Sequence, residues 1–549
     1  MSINTIQVTP SAYNYPLLIK QLLHTPMATA RNQEIVYADK MRYTYDDFFK
    51  RINRLGNALN SIEVEYGDTV AVMDWDSHRY LECFFAIPML GAVLQTVNIR
   101  LSPQQILYTL NHTGAGVILV NLEFMPLLEQ ISSQLTSAKK FVLLSDADPT
   151  PPAGFVGEYE TLLGTATDHF NFPDFDENTR ATTFYTTGTT GDPKGVYFSH
   201  RQLVLHTLAT SSALALSPKL GSFHRDDVYM PITPMFHVHA WGMPYVATMA
   251  GVKQVYPGRY QPEAVLKLIE TEKVTFSHCV PTILHMLLTA TNSRDVDLSG
   301  WKVIIGGSAL TKGLAESALE RGIDVFSGYG MSETCPILTL SQVTNENLTE
   351  TEGNVNIRIK AGRPVPLVAM QVVSASMEVL PNDGTSLGEV VVRAPWLTQG
   401  YLKNAEASEV LWKGGWLHTQ DVGKVDSQGY LQLKDRIKDV IKTGGEWISS
   451  IELEDIISSH TAVNEVAVIG VASEKWGERP LALIVLKAAF VGRISEEEIR
   501  NHVHGFVEMG RISKVAIPER IQFVQSLPRT SVGKLNKRAM REQFGTSTS

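Results

Sequence analysis

Short apolar runs rich in β-branched residues recur along the chain: Thr69–Met73, Gly116–Val120, Phe141–Leu144 and Val303–Ile305. Each reads as a strand. Between them lie stretches of helical periodicity, such as Tyr45–Ile62 and Pro262–Glu272. Strands alternating with helices predict α/β layers with mostly parallel sheets. No internal repeat or low-complexity tract interrupts this order.

The character changes late. Gly415–Ser449 is dense in Gly, Asp and Lys, and within it Tyr430–Leu433 alternates like a strand. Ser449–Glu452 and Ser495–Glu498 each place a hydroxyl three residues before a glutamate, the spacing of a helix-starting capping box. Between them fall two strand-like runs, Glu465–Val471 and Leu481–Leu486. This makes a small α+β unit of roughly 110 residues, enough to fold alone. The expected division is therefore a large N-terminal domain of several subdomains over 1–436 and a small C-terminal domain over 437–549, with the boundary near Arg436–Lys438.

A chain of 549 residues exceeds one ordinary core, in keeping with this division. The net charge of −9 gives no electrostatic support for a nucleic-acid partner, although it says nothing of a local phosphate site. Cys83, Cys279 and Cys335 are far apart and form no CxxC pair, so they read as idle thiols of a reducing compartment. The N-terminus lacks a cationic start followed by an apolar run, and the C-terminal STS is no receptor-read address. No apolar stretch of ~18 residues predicts a membrane span. A cytoplasmic chain is the expectation.

The strongest chemical signal is Tyr185–Gly195, YTTGTTGDPKG, directly after a strand-like run. Gly188, Gly191 and Gly195 let the backbone bring N–H groups close to an anion. Thr186, Thr187, Thr189 and Thr190 offer hydroxyls to phosphate oxygens or magnesium, and Lys194 adds a mobile charge. The Walker A pattern is absent, and composition alone would describe a surface turn. The ordered loop, however, resembles the phosphate-binding loop of the adenylate-forming superfamily: acyl-CoA synthetases, peptide-synthetase adenylation domains and firefly luciferases.

Further segments carry the same resemblance, which covers most of Thr44–Phe544. Pro234–Tyr245, PMFHVHAWGMPY, is similar to the segment lining the acyl tunnel of fatty acyl-CoA synthetases. There the tryptophan matching Trp241 gates the tunnel, and His237 is a wall residue. His237-x-His239 has no third ligand nearby in sequence to suggest zinc. Val303–Leu310, VIIGGSAL, matches the turn that lines the adenine pocket, pointing to Gly307 and Ser308. Ser327–Pro336, SGYGMSETCP, implies that Tyr329, beside Gly328, stacks on adenine and that Ser332 bonds the α-phosphate. It also implies that Glu333 holds Mg2+ together with Thr186. Asp421 and Arg436 match the ribose-binding pair, but the usual Thr-Gly-Asp is here Thr419-Gln420-Asp421, which puts the local turn in doubt.

In DRIKDVIKTGGEWIS, Asp435–Ser449, Lys438 matches the pivot of a mobile C-terminal domain. Lys442 and Trp447 fall where fatty acyl-CoA synthetases close over the adenylate, and Gly444, Gly445 and Glu446 where the pantetheine arm passes. Pro528–Glu542 matches the terminal motif, with Lys534 as the adenylation lysine. Its neighbours Arg529, Lys537, Arg538 and Arg541 read as solvated basic residues.

Together these imply an ATP-dependent fatty acid–CoA ligase using ATP, Mg2+ and coenzyme A. The catalytic set would be Lys534, His237 and Glu333. The MFHVHAW and GGEWIS segments favour a medium- or long-chain acid. A fatty acyl-AMP ligase, a ligase for another carboxylic acid on the same scaffold, a luciferase-like oxygenase and a non-catalytic homologue stay open as alternatives. Some relatives form homodimers through the N-terminal domain, and a dimer is the corresponding expectation. Peripheral membrane contact is left open, because fatty acids partition into bilayers, but no basic amphipathic helix demands it.

Overall fold

The computed structural model describes residues 4–147, 150–186, 192–217, 220–344, 351–443, 446–530 and 535–545. Among these residues the strands form four sheets.

The first has seven strands in the order Phe155–Glu158, Lys140–Leu144, Val117–Asn121, Thr69–Met73, Val93–Thr96, Arg180–Thr186 and Lys194–Ser199. All neighbours are parallel except the last pair, a hairpin. The second has nine strands, with a parallel centre that includes Val228–Pro231, Phe276–Cys279, Lys302–Ile305 and Asp324–Gly330. The apolar runs form strands, as expected. Val93–Thr96, Val117–Asn121 and Lys302–Ile305 are buried along their whole length, because helices cover both faces of each parallel sheet.

Helix starts follow hydroxyl and carboxylate chemistry. Thr44 and Asp47 form a complete capping box on Tyr45–Ser61, and Ser495 with Glu498 does so on Glu496–Glu508. At Ser450–Ser458 the expected box is only half made. Ser449 accepts the Glu452 N–H, while the Glu452 carboxylate is drawn off to Lys434 at 3.1 Å.

The third sheet is antiparallel: Ala369–Val373, Gly388–Arg393, Leu417–Val425 and Leu431–Arg436. The chain then passes into the last sheet, which belongs to a separate C-terminal domain. It comprises Glu446–Ile448, Ile441–Thr443, Gly477–Leu486 and Val463–Ser473, with Arg520–Phe523 parallel beside Gly477–Leu486. That domain has its own apolar core around Ile441, Leu453, Val468, Ile484 and Val503. Cys83, Cys279 and Cys335 are buried free thiols.

Candidate active site

Several of the sequence-predicted residues stand at the carboxyl ends of parallel strands, Thr186, Gly307 and Tyr329 among them. Thr186 ends the strand that leads into the glycine-rich loop and pairs across the hairpin with Lys194. Thr187, Gly188, Thr189, Thr190 and Gly191 lie outside the described residues. Lys194 stands over the ring of Tyr401 at 4.6 Å, and the Tyr401 hydroxyl donates to Glu333 Oε1 at 2.6 Å. Glu333 is buried within the single turn Ser332–Thr334, and its backbone oxygen accepts the Thr398 N–H. The segment around 398–402 thus ties the loop hairpin to the Glu333 turn. Leu402 N–H also donates to Gly195 O, and the Thr398 hydroxyl to Tyr197 O. Burial and the adjacent Glu333 charge push the Tyr401 phenol up, so it remains a hydrogen-bond donor.

Tyr329 lies at the end of the strand Asp324–Gly330, and the Glu333 turn begins three residues later at Ser332. Gly330 cannot be replaced there, since a Cβ would stand 1.7 Å from the Pro336 carbonyl oxygen. The Tyr329 hydroxyl donates to Asp421 Oδ2 at 2.7 Å, and Arg436 Nε lies 3.2 Å from Asp421 Oδ1. Asp421 and Arg436 face each other across two antiparallel strands, so strand register alone sets this pair. The doubt over Gln420 resolves simply. Gln420 itself takes the left-handed conformation, φ 59°, and Glu389 holds its N–H at 3.0 Å. Gly307, also left-handed, and Ser308 form an exposed turn after Lys302–Ile305, next in the sheet to the strand carrying Gly328.

The acyl-side segment carries an unexpected backbone. Val238, His239, Ala240, Trp241 and Gly242 all have positive φ, between 47° and 72°. Four of them bear side chains, each of which disfavours this region by roughly 1–2 kcal/mol. Tertiary contacts supply the compensation. The buried Asp76 carboxyl group accepts the Met235 N–H at 2.7 Å, anchoring the segment's start. His237 is half-buried at the head of the turn. His239 is fully buried among Phe84, Phe184, Phe198 and Tyr245, and neither ring nitrogen has a partner among the described residues. Burial pushes its imidazole down to about 3, so it is neutral. The described residues contain no cluster of three His, Cys, Asp or Glu side chains suited to a metal.

After Arg436 the link is short. Asp439 and Val440 donate their N–H groups to Arg436 O, and Ile437 to Gln420 O. Lys438 is exposed within it. Lys442 and Trp447 pair as backbone neighbours in the first hairpin of the C-terminal domain, and Glu446 is exposed beside them. Gly444, Gly445 and Lys534 lie outside the described residues.

The basic residues flanking Lys534 are not simply solvated, which corrects that expectation. Lys537 pairs with the half-buried Glu454 at 2.7 Å, and Arg541 pairs with Asp439 of the link. Arg529 reaches both Glu465 and, in the large domain, the Thr282 hydroxyl at 2.8 Å. Arg538 makes an exposed helical pair with Glu542. Tyr401 and Asp76 were missed. Both sit in irregular backbone, and their partners are 68 and 159 residues away, so no local pattern marks them.

The sequence matches the AMP-binding enzyme family over residues 23–402 and the AMP-binding enzyme C-terminal domain over 452–534. It is 40% identical to a long-chain-fatty-acid–CoA ligase of Thermus thermophilus, covering 92% of this chain and 90% of that one. It is 37% identical to a 3-methylmercaptopropionyl-CoA ligase of Ruegeria pomeroyi, covering 89% and 90%. The fold superposes on the anthranilate CoA ligase AuaEII in complex with anthranoyl-AMP with a TM-score of 0.83. The two are 25% identical over 96% of this chain and 98% of the other.

Proposed function

Because the chain belongs to the AMP-binding enzyme family, we propose that it is an AMP-forming fatty acid–CoA ligase. One observation carries the reading: a single strand end and the turn that follows it present Tyr329 to the Asp421–Arg436 pair and Glu333 to Tyr401. The first is a ribose and ring site. The second is a buried anionic oxygen beside a phosphate loop.

A free carboxylate acylates poorly because oxide is its leaving group. Attack on the α-phosphate of ATP forms an acyl adenylate and expels pyrophosphate, a step that needs alignment and charge neutralisation more than proton transfer. Asp421 receives the ribose hydroxyls, Tyr329 stacks on the adenine, and Gly307 and Ser308 flank it. Ser332, Lys194 and the glycine-rich loop hold the phosphates. Glu333 and Thr186 are hard oxygen donors suited to Mg2+, which would neutralise phosphate charge there. His237 lines the acid's carboxylate end, and Lys534 supplies positive charge to the first step.

In the second step the thiolate of coenzyme A attacks the anhydride carbonyl and AMP leaves. We assign Lys442, Gly444, Gly445, Glu446 and Trp447 to that step, reached by rotation of a domain beginning near 437 about Lys438. No described helix is long and apolar enough to cross a membrane. We place the enzyme in the cytoplasm, with fatty acid, ATP and CoA as its small-molecule partners. The test is pyrophosphate release across straight-chain acids, with and without CoA. Release and acyl-CoA formation are expected, and no release with any acid would refute the assignment.

A further inference from the structure

Chain length is open among the relatives, whose names run from methylmercaptopropionate to long-chain fatty acids. What lies behind Trp241 addresses it. The tip of the Trp241 indole closes on the Gly306 turn: a Cβ added to Gly306 would stand 2.9 Å from Trp241 Cη2 and 3.0 Å from Gly328 O. One side of Trp241 therefore meets the turn assigned to the nucleotide. Its ring also lies against His278, with centroids 5.1 Å apart and planes tilted by 33°.

His278 is fully buried, and its Nε2 lies 2.8 Å from the Tyr229 hydroxyl, which is also fully buried. The two rings stack at 19°. Strand register explains the meeting. Tyr229 is opposite Phe276, so Tyr229, Phe276 and His278 face the same side of the sheet, as does Ile304 opposite His278. His278 Nδ1 has no partner among the described residues. An unmet polar atom in the interior is destabilising. An aliphatic tunnel continuing past Trp241 would gain nothing from such a pair, whereas a pocket that ends there would use it as a wall.

We infer that the Tyr229–His278 pair is the floor of the acyl pocket and restricts the acid to short or medium length. The inference rests on the acyl ligase reading above and makes these two residues specificity-determining. An acid whose carboxylate lies at the nucleotide turn sends its tail past Trp241 and meets the His278 imidazole. Longer tails must displace two hydrogen-bonded, stacked rings.

The experiment measures kcat/KM for pyrophosphate release with straight-chain acids from butyrate to palmitate, for the wild type, His278→Ala and Tyr229→Val. The wild type is expected to peak at octanoate or shorter and to fall steeply beyond. His278→Ala and Tyr229→Val are expected to move the peak to longer acids, with a gain of roughly tenfold or more for dodecanoate over octanoate, the scale on which a pocket discriminates methylenes. A wild type that prefers palmitate overturns the inference without need of any variant. So does an unchanged chain-length profile in either folded variant. Those results leave the ligase assignment standing, whereas no release with any acid removes both.

Discussion

The Tyr401 hydroxyl holds Glu333 at 2.6 Å, while the face of the same ring carries Lys194 at 4.6 Å. One phenol thus sets the distance between the carboxylate assigned to Mg2+ and the lysine of the phosphate loop. Tyr401→Phe keeps the ring and frees the carboxylate. Apparent Mg2+ affinity is expected to fall by roughly 10–100-fold, the usual effect of removing a group that orients a metal ligand. The KM for the acid should hold. A magnesium titration of pyrophosphate release reads this out, and an unchanged magnesium profile would refute it.

Asp421 is nearly buried and receives both Tyr329 and Arg436. Tyr329→Phe removes one of these two partners and lets the carboxylate drift. The loss is about 1–1.5 kcal/mol, or roughly tenfold, and should appear in KM for ATP. Competition with AMP should weaken equally, because the contact precedes chemistry. A change confined to kcat would argue against ribose binding by this pair.

Lys534→Ala is expected to abolish acyl-adenylate formation, at a cost of about 3–4 kcal/mol or more. Conversion of added synthetic acyl adenylate to acyl-CoA should survive. Arg529, five residues earlier, touches Thr282 at the start of the helix Pro281–Thr289. Thr282→Val should slow the same half-reaction more mildly by loosening that contact. Equal loss of both half-reactions in Lys534→Ala would contradict the assignment.

Burial pushes the Asp76 carboxyl up to about 8, even though Met235 donates to it. The unfolded chain gives up that proton near the ordinary aspartate value of about 4. Between these values the unfolded state binds fewer protons, so this group's contribution to stability falls as pH rises from about 4 to about 8. Asp76→Asn keeps the acceptor for Met235 and removes the titration. It should stabilise the protein by about 1–3 kcal/mol near pH 8 and by less near pH 5. Thermal unfolding of both proteins at the two pH values is the check, and an equal difference at both would refute the charge argument.

Gln420 occupies a left-handed position that a glycine would take freely. Gln420→Gly should raise stability by up to about 1 kcal/mol, less the entropy glycine loses on folding. Activity should be retained, since the Glu389 contact is to the backbone N–H. A lower melting temperature would mean that the glutamine side chain contributes packing instead.

Much of the fold could be read from the chain because its parallel strands are covered on both faces. Val303–Ile305 and Val117–Val120 are apolar without interruption, and that signal is local. The strand Leu431–Arg436 was foreseen only in part, as Tyr430–Leu433. Its later residues are polar because each has a polar partner: Lys434 pairs with Glu452, Asp435 accepts from Ser450, and Arg436 pairs with Asp421. The left-handed turn was invisible, since valine, histidine, alanine and tryptophan have no local preference for positive φ. Asp76, 159 residues from the turn it anchors, supplies part of the constraint. Tyr401 was hidden for a related reason: it lies outside any helix or strand, and only the folded chain brings it to Glu333. The motif residues near the nucleotide turn were legible through resemblance, not through periodicity.

Arg436 gives its side chain to Asp421 and its carbonyl oxygen to both Asp439 and Val440. In the proposed cycle the same residue is a nucleotide contact and the root of the moving link. Selection therefore cannot adjust the two properties separately. A substitution that tightens the grip on the ribose also alters the angle from which the second domain departs. Variation that tunes turnover is expected to collect beyond Arg436, along the link, where it leaves the bound nucleotide undisturbed.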